Sequence, residues 1–464
     1  MSQTMTMAGA VSETDNKFPP QIKYIVGNEA CERYSYYGMR SILVVFMIQV
    51  LLFQEAQATS VYHLFAGACY LFPVLGAFIS DRIWGKYKTI LYLSLVYCAG
   101  HAVLAIWETK MGLYAGLALI ALGSGGIKPC VSAHVGDQFK ANQTHLLKKV
   151  YELFYFMINF GSFFSTIITP WTLKHYGPYI AFGIPGVLMF IATIVFWMGR
   201  HQYVHVPPTK GDGHGFMNIL MSAIKNRSNR KPGQSFMDAA VGPHSQEQVD
   251  AAKAVLDIAK LFAAVSVFWA LFDQHGSSWV IQAMNMDLVF MGIPFEASQI
   301  AAWNPIMVMG LIPLFSMGFY PMLDRMGLKT TPIRRMTWGM FVAAASFAMI
   351  GGLQMWMDSS ADKINVMWQF FPYLVITMAE VMISITGLEF AYTQAPRSMK
   401  STIMSLWLLT VFFGNLITAY VSQINVFPVA STGYFMFFAV LMGVFALIFW
   451  YMGVHYKVKN YMEK

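Results

Sequence analysis

The chain has 464 residues, of which 56% are hydrophobic and 12% charged, about half the charged share of an ordinary soluble domain. So little charge cannot cover a water-soluble fold of this size, and the apolar residues come in blocks of about 20, each long enough to cross a bilayer core. The net charge of +8 does not point to nucleic acid, because Lys and Arg sit in short loops between the blocks and form no single patch.

In chain order, residues 1 to 17 lack the apolar core of a cleavable signal peptide and lead straight into the first long helix, so the N-terminus is expected to be retained. Membrane helices are predicted at about 22–52, 57–81, 88–107, 111–136, 147–172, 179–199, 257–284, 297–320, 333–354, 365–392, 400–422 and 432–456. Twelve spans make an all-α polytopic membrane protein. Arg82, Lys86 and Lys88 follow the second helix, Lys140, Lys148 and Lys149 the fourth, and Lys210, Lys225, Arg227, Arg230 and Lys231 the sixth. Arg325, Lys329, Arg334 and Arg335 follow the eighth, Arg397 and Lys400 the tenth, and Lys457, Lys459 and Lys464 the last. The intervening loops are poor in Lys and Arg, so both termini are expected in the cytoplasm of a cell-membrane protein. Cys31, Cys69, Cys98 and Cys130 lie inside apolar segments without CxxC or Cys/His spacing, which supports neither a disulfide framework nor a zinc site.

One long polar stretch, residues 201–254, falls between six helices and six helices and reads as a cytoplasmic linker between bundles at 1–200 and 255–464. A repeat supports this division. DRIWGKYKT follows the second helix of the first half and DRMGLKT the second helix of the second half, with Asp81 and Asp324 in equivalent places. Asp81, Arg82 and Gly85 are expected to close a tight turn with a structural or gating role. Two such halves resemble the major facilitator superfamily, in which substrate binds near the midplane between the halves.

Glu29, Glu32, Arg33, Arg40, Lys128, Asp273, Glu380 and Glu389 lie within the apolar blocks, with His63. At about 2.5 to 3.5 kcal/mol each, these eight charges would together cost roughly 20 kcal/mol if they faced lipid. Folding free energies are only about 5 to 15 kcal/mol. They must therefore face one another or a water-filled cavity. In GNEACERYSYYGMR of the first helix, Glu29, Arg33, Tyr36, Tyr37 and Arg40 fall at i, i+4, i+7, i+8 and i+11, a single stripe, with Glu32 beside it.

IVGNEACERYSYYGMR resembles the ExxERFxYYG signature of the proton-coupled oligopeptide transporters, with Tyr34 where Phe is usual. FYFMINFGS at 154–162 is similar to that family's FYxxINxGS motif, GSGGIKP carries a fourth-helix lysine at Lys128, and TGLEFAYTQAP at 386–396 is similar to its tenth-helix motif in animal-type form. The chain has neither the two extra helices frequent between the halves of bacterial members nor the large domain that animal members carry between helices nine and ten. The resemblance implies a proton-coupled symporter that imports di- and tripeptides by alternating access in a lipid bilayer, with protons as coupling ion and no cofactor.

It also implies roles. Arg40 and Lys128 would meet the peptide carboxylate with Tyr36, Tyr37 and Tyr70 as phenolic partners. Glu380 would meet the ammonium with Asn159, Asn304 and Ser384 as hydrogen-bond partners, and Trp269 and Trp407 would bound the side-chain pockets. The chemistry agrees, since the guanidinium fork matches a carboxylate and Glu380 can only accept. Glu29, Glu32 and Arg33 are expected to couple the proton: a peptide carboxylate that competes for a neighbouring cation makes a carboxyl easier to protonate. His63 is expected in coupling or gating, because imidazole titrates nearest physiological pH. Asp273 is either a proton site or half of a gate salt bridge, and some relatives carry Arg where this chain has Ser278. Glu389 is expected in a structural or cytoplasmic-gate role. The competing reading is a proton-coupled carrier of nitrate, another small anion or a drug on the same fold. An anion needs no Glu380. Among the sequence motifs, no metal-ligand cluster, nucleophile elbow or phosphate loop supports an enzyme.

Overall fold

The computed structural model describes residues 17–208, 215–229 and 233–456. The N-terminal 16 residues and the cations Lys210, Arg230, Lys231, Lys457, Lys459 and Lys464 lie outside the described residues. Among the latter, ten helical segments are long and apolar enough to cross a membrane. The first helix, α1 (Ile22–Gln49), is less apolar than these because Lys23, Glu29, Glu32, Arg33 and Arg40 share its 28 residues. Then come α2 (Glu55–Trp84), α3 (Lys86–Ile106) and α4 (Lys110–Asp137).

The segment Leu147–His201 runs for 55 residues but leaves helical geometry at Gly177, with φ 78° and ψ 178°. Glycine tolerates that φ, and Pro178 restarts a helix with its φ already set. The two parts are α5 and α6. The second half follows as α7 (Gln246–Met284), α8 (Ala297–Arg325), α9 (Pro332–Ser359), α10 (Val366–Gln394), α11 (Lys400–Ile424) and α12 (Thr432–His455). Twelve spans result, in the two six-helix bundles of a major facilitator fold.

The seventh helix starts at Gln246, well before the expected position near 257. Hydropathy finds only the apolar part. The first turns are amphipathic, and Ser245 and Gln248 cap them reciprocally, side chain to backbone, at 3.3 and 3.0 Å. The same helix tightens at Asp273–Gly276 and breaks at Ser277 (φ −134°, ψ −89°) before Ser278–Met284 continues. That break frees backbone and side-chain groups inside the protein.

Close approach between helices rests on glycine. A Cβ on Gly76 of α2 would fall on the backbone of Gly126 in α4, and one on Gly123 would strike Tyr97 of α3. The GSGGIKP run is therefore the face that lets α2, α3 and α4 pack with Lys128 held at their crossing. Across the halves, α2 lies along α11 and α5 meets the start of α8. The turn repeat puts a glycine at positive φ in both halves, Gly85 at 76° and Gly327 at 85°. Gly85 N–H closes the first turn on Ser80 O at 3.0 Å, and Asp324 accepts from Thr330 N–H and Oγ1 at 2.7 and 2.9 Å in the second. Asp81 and Arg82 are exposed there, and Lys86 pairs with Asp137 at 2.6 Å, joining the start of α3 to the end of α4.

Candidate functional site

A cavity of about 260 Å³ lies between the halves. Tyr37 and Arg40 of α1, Tyr70 of α2 and Asn159 of α5 line it from the first half; Trp269 and Asp273 of α7, Asn304 of α8, and Glu380 and Ser384 of α10 line it from the second. Positions as far apart in sequence as Tyr37 and Ser384 thus face one space, with a guanidinium on one wall and a carboxylate on the other.

The acidic wall is built at an irregularity. α10 is regular from Phe370 to Glu380, then widens into a π-type turn over Val381–Ile385. Such turns displace side chains out of the helical register and recur at functional sites. Asn304 Nδ2 donates to Glu380 Oε2 at 2.8 Å and to Thr377 Oγ1 at 3.2 Å. Trp269 forms the adjoining wall. Trp407, expected to bound a pocket, stands behind it, with its ring centroid 5.1 Å from Phe262 and 6.3 Å from Trp269. Trp407 does not line the cavity.

On the basic wall, Arg40 Nη2 donates to Asp273 Oδ1 at 2.6 Å, and its Nε donates to Tyr62 OH at 2.6 Å. This supplies the partner of Asp273, which spacing could not provide. Asn415 Nδ2 in α11 donates to the other carboxylate oxygen of Asp273 at 2.6 Å, and Asn415 Oδ1 is 2.7 Å from His63 Nδ1. With its nitrogen on Asp273, the amide oxygen can only accept, so Nδ1 of His63 is the donor. Nε2 of His63 lies 2.8 Å from Ser277 Oγ, at the break in α7. Ser278, one residue on, donates to Gln274 Oε1 at 2.9 Å. The chain Arg40, Asp273, Asn415, His63, Ser277 joins α1 and α2 to α7 and α11 through buried groups.

The second cluster stays within the first half. Arg33 Nε is 2.7 Å from Glu29 Oε1 and 2.9 Å from Glu32 Oε2, and Ser124 Oγ donates to Glu32 Oε1 at 3.4 Å. Glu32 is 1% exposed, so nothing but its neighbours compensates its charge. Lys128 Nζ sits 4.0 Å from the ring centre of Tyr70 and 5.0 Å from that of Tyr36. Tyr70, which also lines the cavity, stands between Lys128 and the open space. Tyr36 is fully buried. Glu389 lies apart from all of these, exposed, 4.0 Å from Arg335 of α9.

Tyr62, Ser277 and Asn415 were not legible as site residues. A signal existed for one of them: an asparagine inside the apolar segment VFFGNLIT has to find a partner, as a buried charge does.

Similar proteins agree with this architecture. The family model PTR2, POT family, matches residues 87–437. "Peptide transporter family 1" of Drosophila melanogaster is 40% identical over 364 residues, covering 75% of this chain and 49% of that protein. "Solute carrier family 15 member 2" of Homo sapiens is 35% identical over 396 residues, covering 81% and 54%. The chain spans about half the length of these curated relatives. The crystal structure of the POT family transporter PepTSo superimposes with a TM-score of 0.90 at 39% identity, covering 96% of this chain and 99% of that one. With its twelve helices, its charged cavity between the halves and the family match over most of its length, the chain belongs to the POT family.

Proposed function

We propose that the chain imports di- and tripeptides together with protons by alternating access. One observation carries the reading: a cavity between the halves presents Arg40 on one wall and Glu380 on the other, which suits a zwitterion with a carboxylate at one end and an ammonium at the other. The peptide carboxylate goes to Arg40, with Lys128 behind Tyr70, and the ammonium to Glu380 and Asn304. Waters complete what side chains of different peptides leave unbonded, so many sequences are tolerated.

In this reading the carboxylate competes with Asp273 for Arg40. A proton on Asp273 or on the Glu29, Glu32, Arg33 cluster releases a cation to the substrate, so proton and peptide enter together. His63 is suited to relay that proton. Its Nδ1 already donates to Asn415, and a proton gained on Nε2 would find an acceptor in Ser277 Oγ, whose own hydrogen turns toward Gln274 O, 3.5 Å away. The Lys and Arg distribution supports cytoplasmic termini in a cell membrane, and the segment between the end of α6 at His201 and the start of α7 at Gln246 acts as the linker between the two bundles.

The test is uptake of labelled dialanine into proteoliposomes under an inside-negative potential with an acidic exterior. Uphill accumulation, competed by di- and tripeptides and not by nitrate, is expected. Nitrate accumulation without dialanine uptake would transfer the assignment to the anion-carrier reading.

A further inference from the structure

A second cavity, of about 540 Å³, lies between the halves beside the turn at Gly177 that joins α5 to α6. That turn is on the membrane face opposite the linker, the outer face when the termini are cytoplasmic. The two cavities follow one another along α1: Tyr37, Arg40 and Ser41 face the inner one, and Ile42, Val45 and Gln49 the other. Arg40 to Gln49 is about 13 Å along a helix, so the second cavity sits outward of the buried Arg40 and Asp273 pair.

The outer cavity repeats the charge arrangement of the inner one. Lys174 of α5 brings a cation from the first half and Glu296, ahead of α8, a carboxylate from the second, as Arg40 and Glu380 do deeper in. Lys174 Nζ donates to Glu296 Oε1 at 2.7 Å, with the two side chains 55% and 24% exposed. A pair this exposed is held weakly, and each member can exchange the other for the opposite charge of a ligand at little cost. Glu296 is fixed in place as the cap of α8: its side chain accepts from the Gln299 N–H, and Gln299 Oε1 accepts from the Glu296 N–H at 2.7 Å. Lys174 stands on a flexible four-carbon stem and can swing aside.

We propose that this cavity is an outer waiting site for zwitterionic peptides, with the carboxylate on Lys174 and the ammonium on Glu296. A peptide held there already has the orientation that Arg40 and Glu380 require, and it enters the inner cavity without turning round. The site rests on the peptide-transport reading and adds a step ahead of it.

The experiment measures exchange of labelled dialanine by intact cells, which present only the outer face, and by inside-out vesicles, which present the other. The variants are Lys174→Gln, Glu296→Gln and the exchanged pair Lys174→Glu with Glu296→Lys. In cells each single variant should raise the KM for dialanine about two- to fivefold, the worth of one exposed ion pair, at unchanged maximal rate. In vesicles the KM should stay at the parent value. The exchanged pair restores the salt bridge but holds a captured peptide the wrong way round, so its KM in cells should stay raised. A parent KM in the exchanged pair would make Lys174 and Glu296 a link between the halves and nothing more, and would overturn the proposal. So would single variants with the parent KM in cells, or a KM raised equally from both faces. A parent chain that exchanges no dialanine from either face would overturn the peptide reading and this site with it, whereas the other contrary results strike the outer site alone.

Discussion

Glu32 and His63 carry the most specific expectations at the scale of single residues. Glu32→Gln removes a carboxyl that we propose exchanges the proton and leaves the cavity lining intact, so uphill uptake should be lost while peptide counterflow persists. Concentrative uptake by this variant at the normal rate would remove Glu32 from coupling. His63 is fully buried between Asn415 and Ser277, and His63→Gln offers both neighbours a substitute amide. Gradient-driven uptake should fall at least tenfold, with thermal stability within about 1 kcal/mol of the parent if the amide replaces both hydrogen bonds. A folded variant with an unchanged pH-rate profile would return His63 to packing. The α1 stripe was legible because Glu29, Arg33 and Arg40 share one helix face, and helix geometry turns spacing into direction. The partner of Asp273 was not, because Arg40 lies 233 positions away and no local period encodes that distance. Asn415 was missed for a related reason: a neutral amide costs less in an apolar segment than a charge, and so it stands out less.

The twelve apolar segments were readable from hydropathy, whereas the irregularities that place the site were not. The wide turn after Glu380 has no proline or glycine to announce it, and the break at Ser277 falls on a Gly276–Ser277 pair, a local kink signal that hydropathy does not register. The start of α7 was missed because its first turns carry polar residues. Glycine contacts allow a direct check of the packing between helices. Gly76→Ala sets a methyl on the Gly126 backbone, where neither chain can yield without moving its helix. It should destabilise by about 1 to 3 kcal/mol, as overpacking does, and lower the unfolding temperature in detergent. Gly183→Ala in α6 meets nothing within 4 Å and should be neutral or stabilising by up to about 1 kcal/mol through helix propensity. Equal behaviour of the two variants would contradict the packing described for α2 and α4.

The whole molecule is closed on one side by links between its halves. Arg40 with Asp273, buried, and Lys174 of α5 with Glu296 ahead of α8, exposed, both pair across the halves at 2.6 and 2.7 Å. The exposed pair should contribute below about 1 kcal/mol. Removing one partner of the buried pair strands a charge, at a cost of about 3 to 5 kcal/mol. Asp273→Asn should therefore shift the conformational equilibrium away from this closed side, seen as a longer spin-label distance across it, and Glu296→Gln should change that distance little. The reverse ranking would contradict the assignment of the buried pair as the principal link. A proton crossing 100 mV releases about 2.3 kcal/mol, enough for roughly a 50-fold gradient of a neutral zwitterion. The central claim is that a peptide bridges the halves, carboxylate to the first and ammonium to the second, so that binding favours the occluded state. The most direct measurement is inhibition of dialanine transport by dialanine, its N-acetyl form and its C-terminal amide in Glu380→Gln. The free peptide should lose about 1.5 to 3 kcal/mol of affinity, the range of a hydrogen bond to a charged group, and the acetylated one far less. Equal losses for the acetylated and free peptides would contradict the orientation.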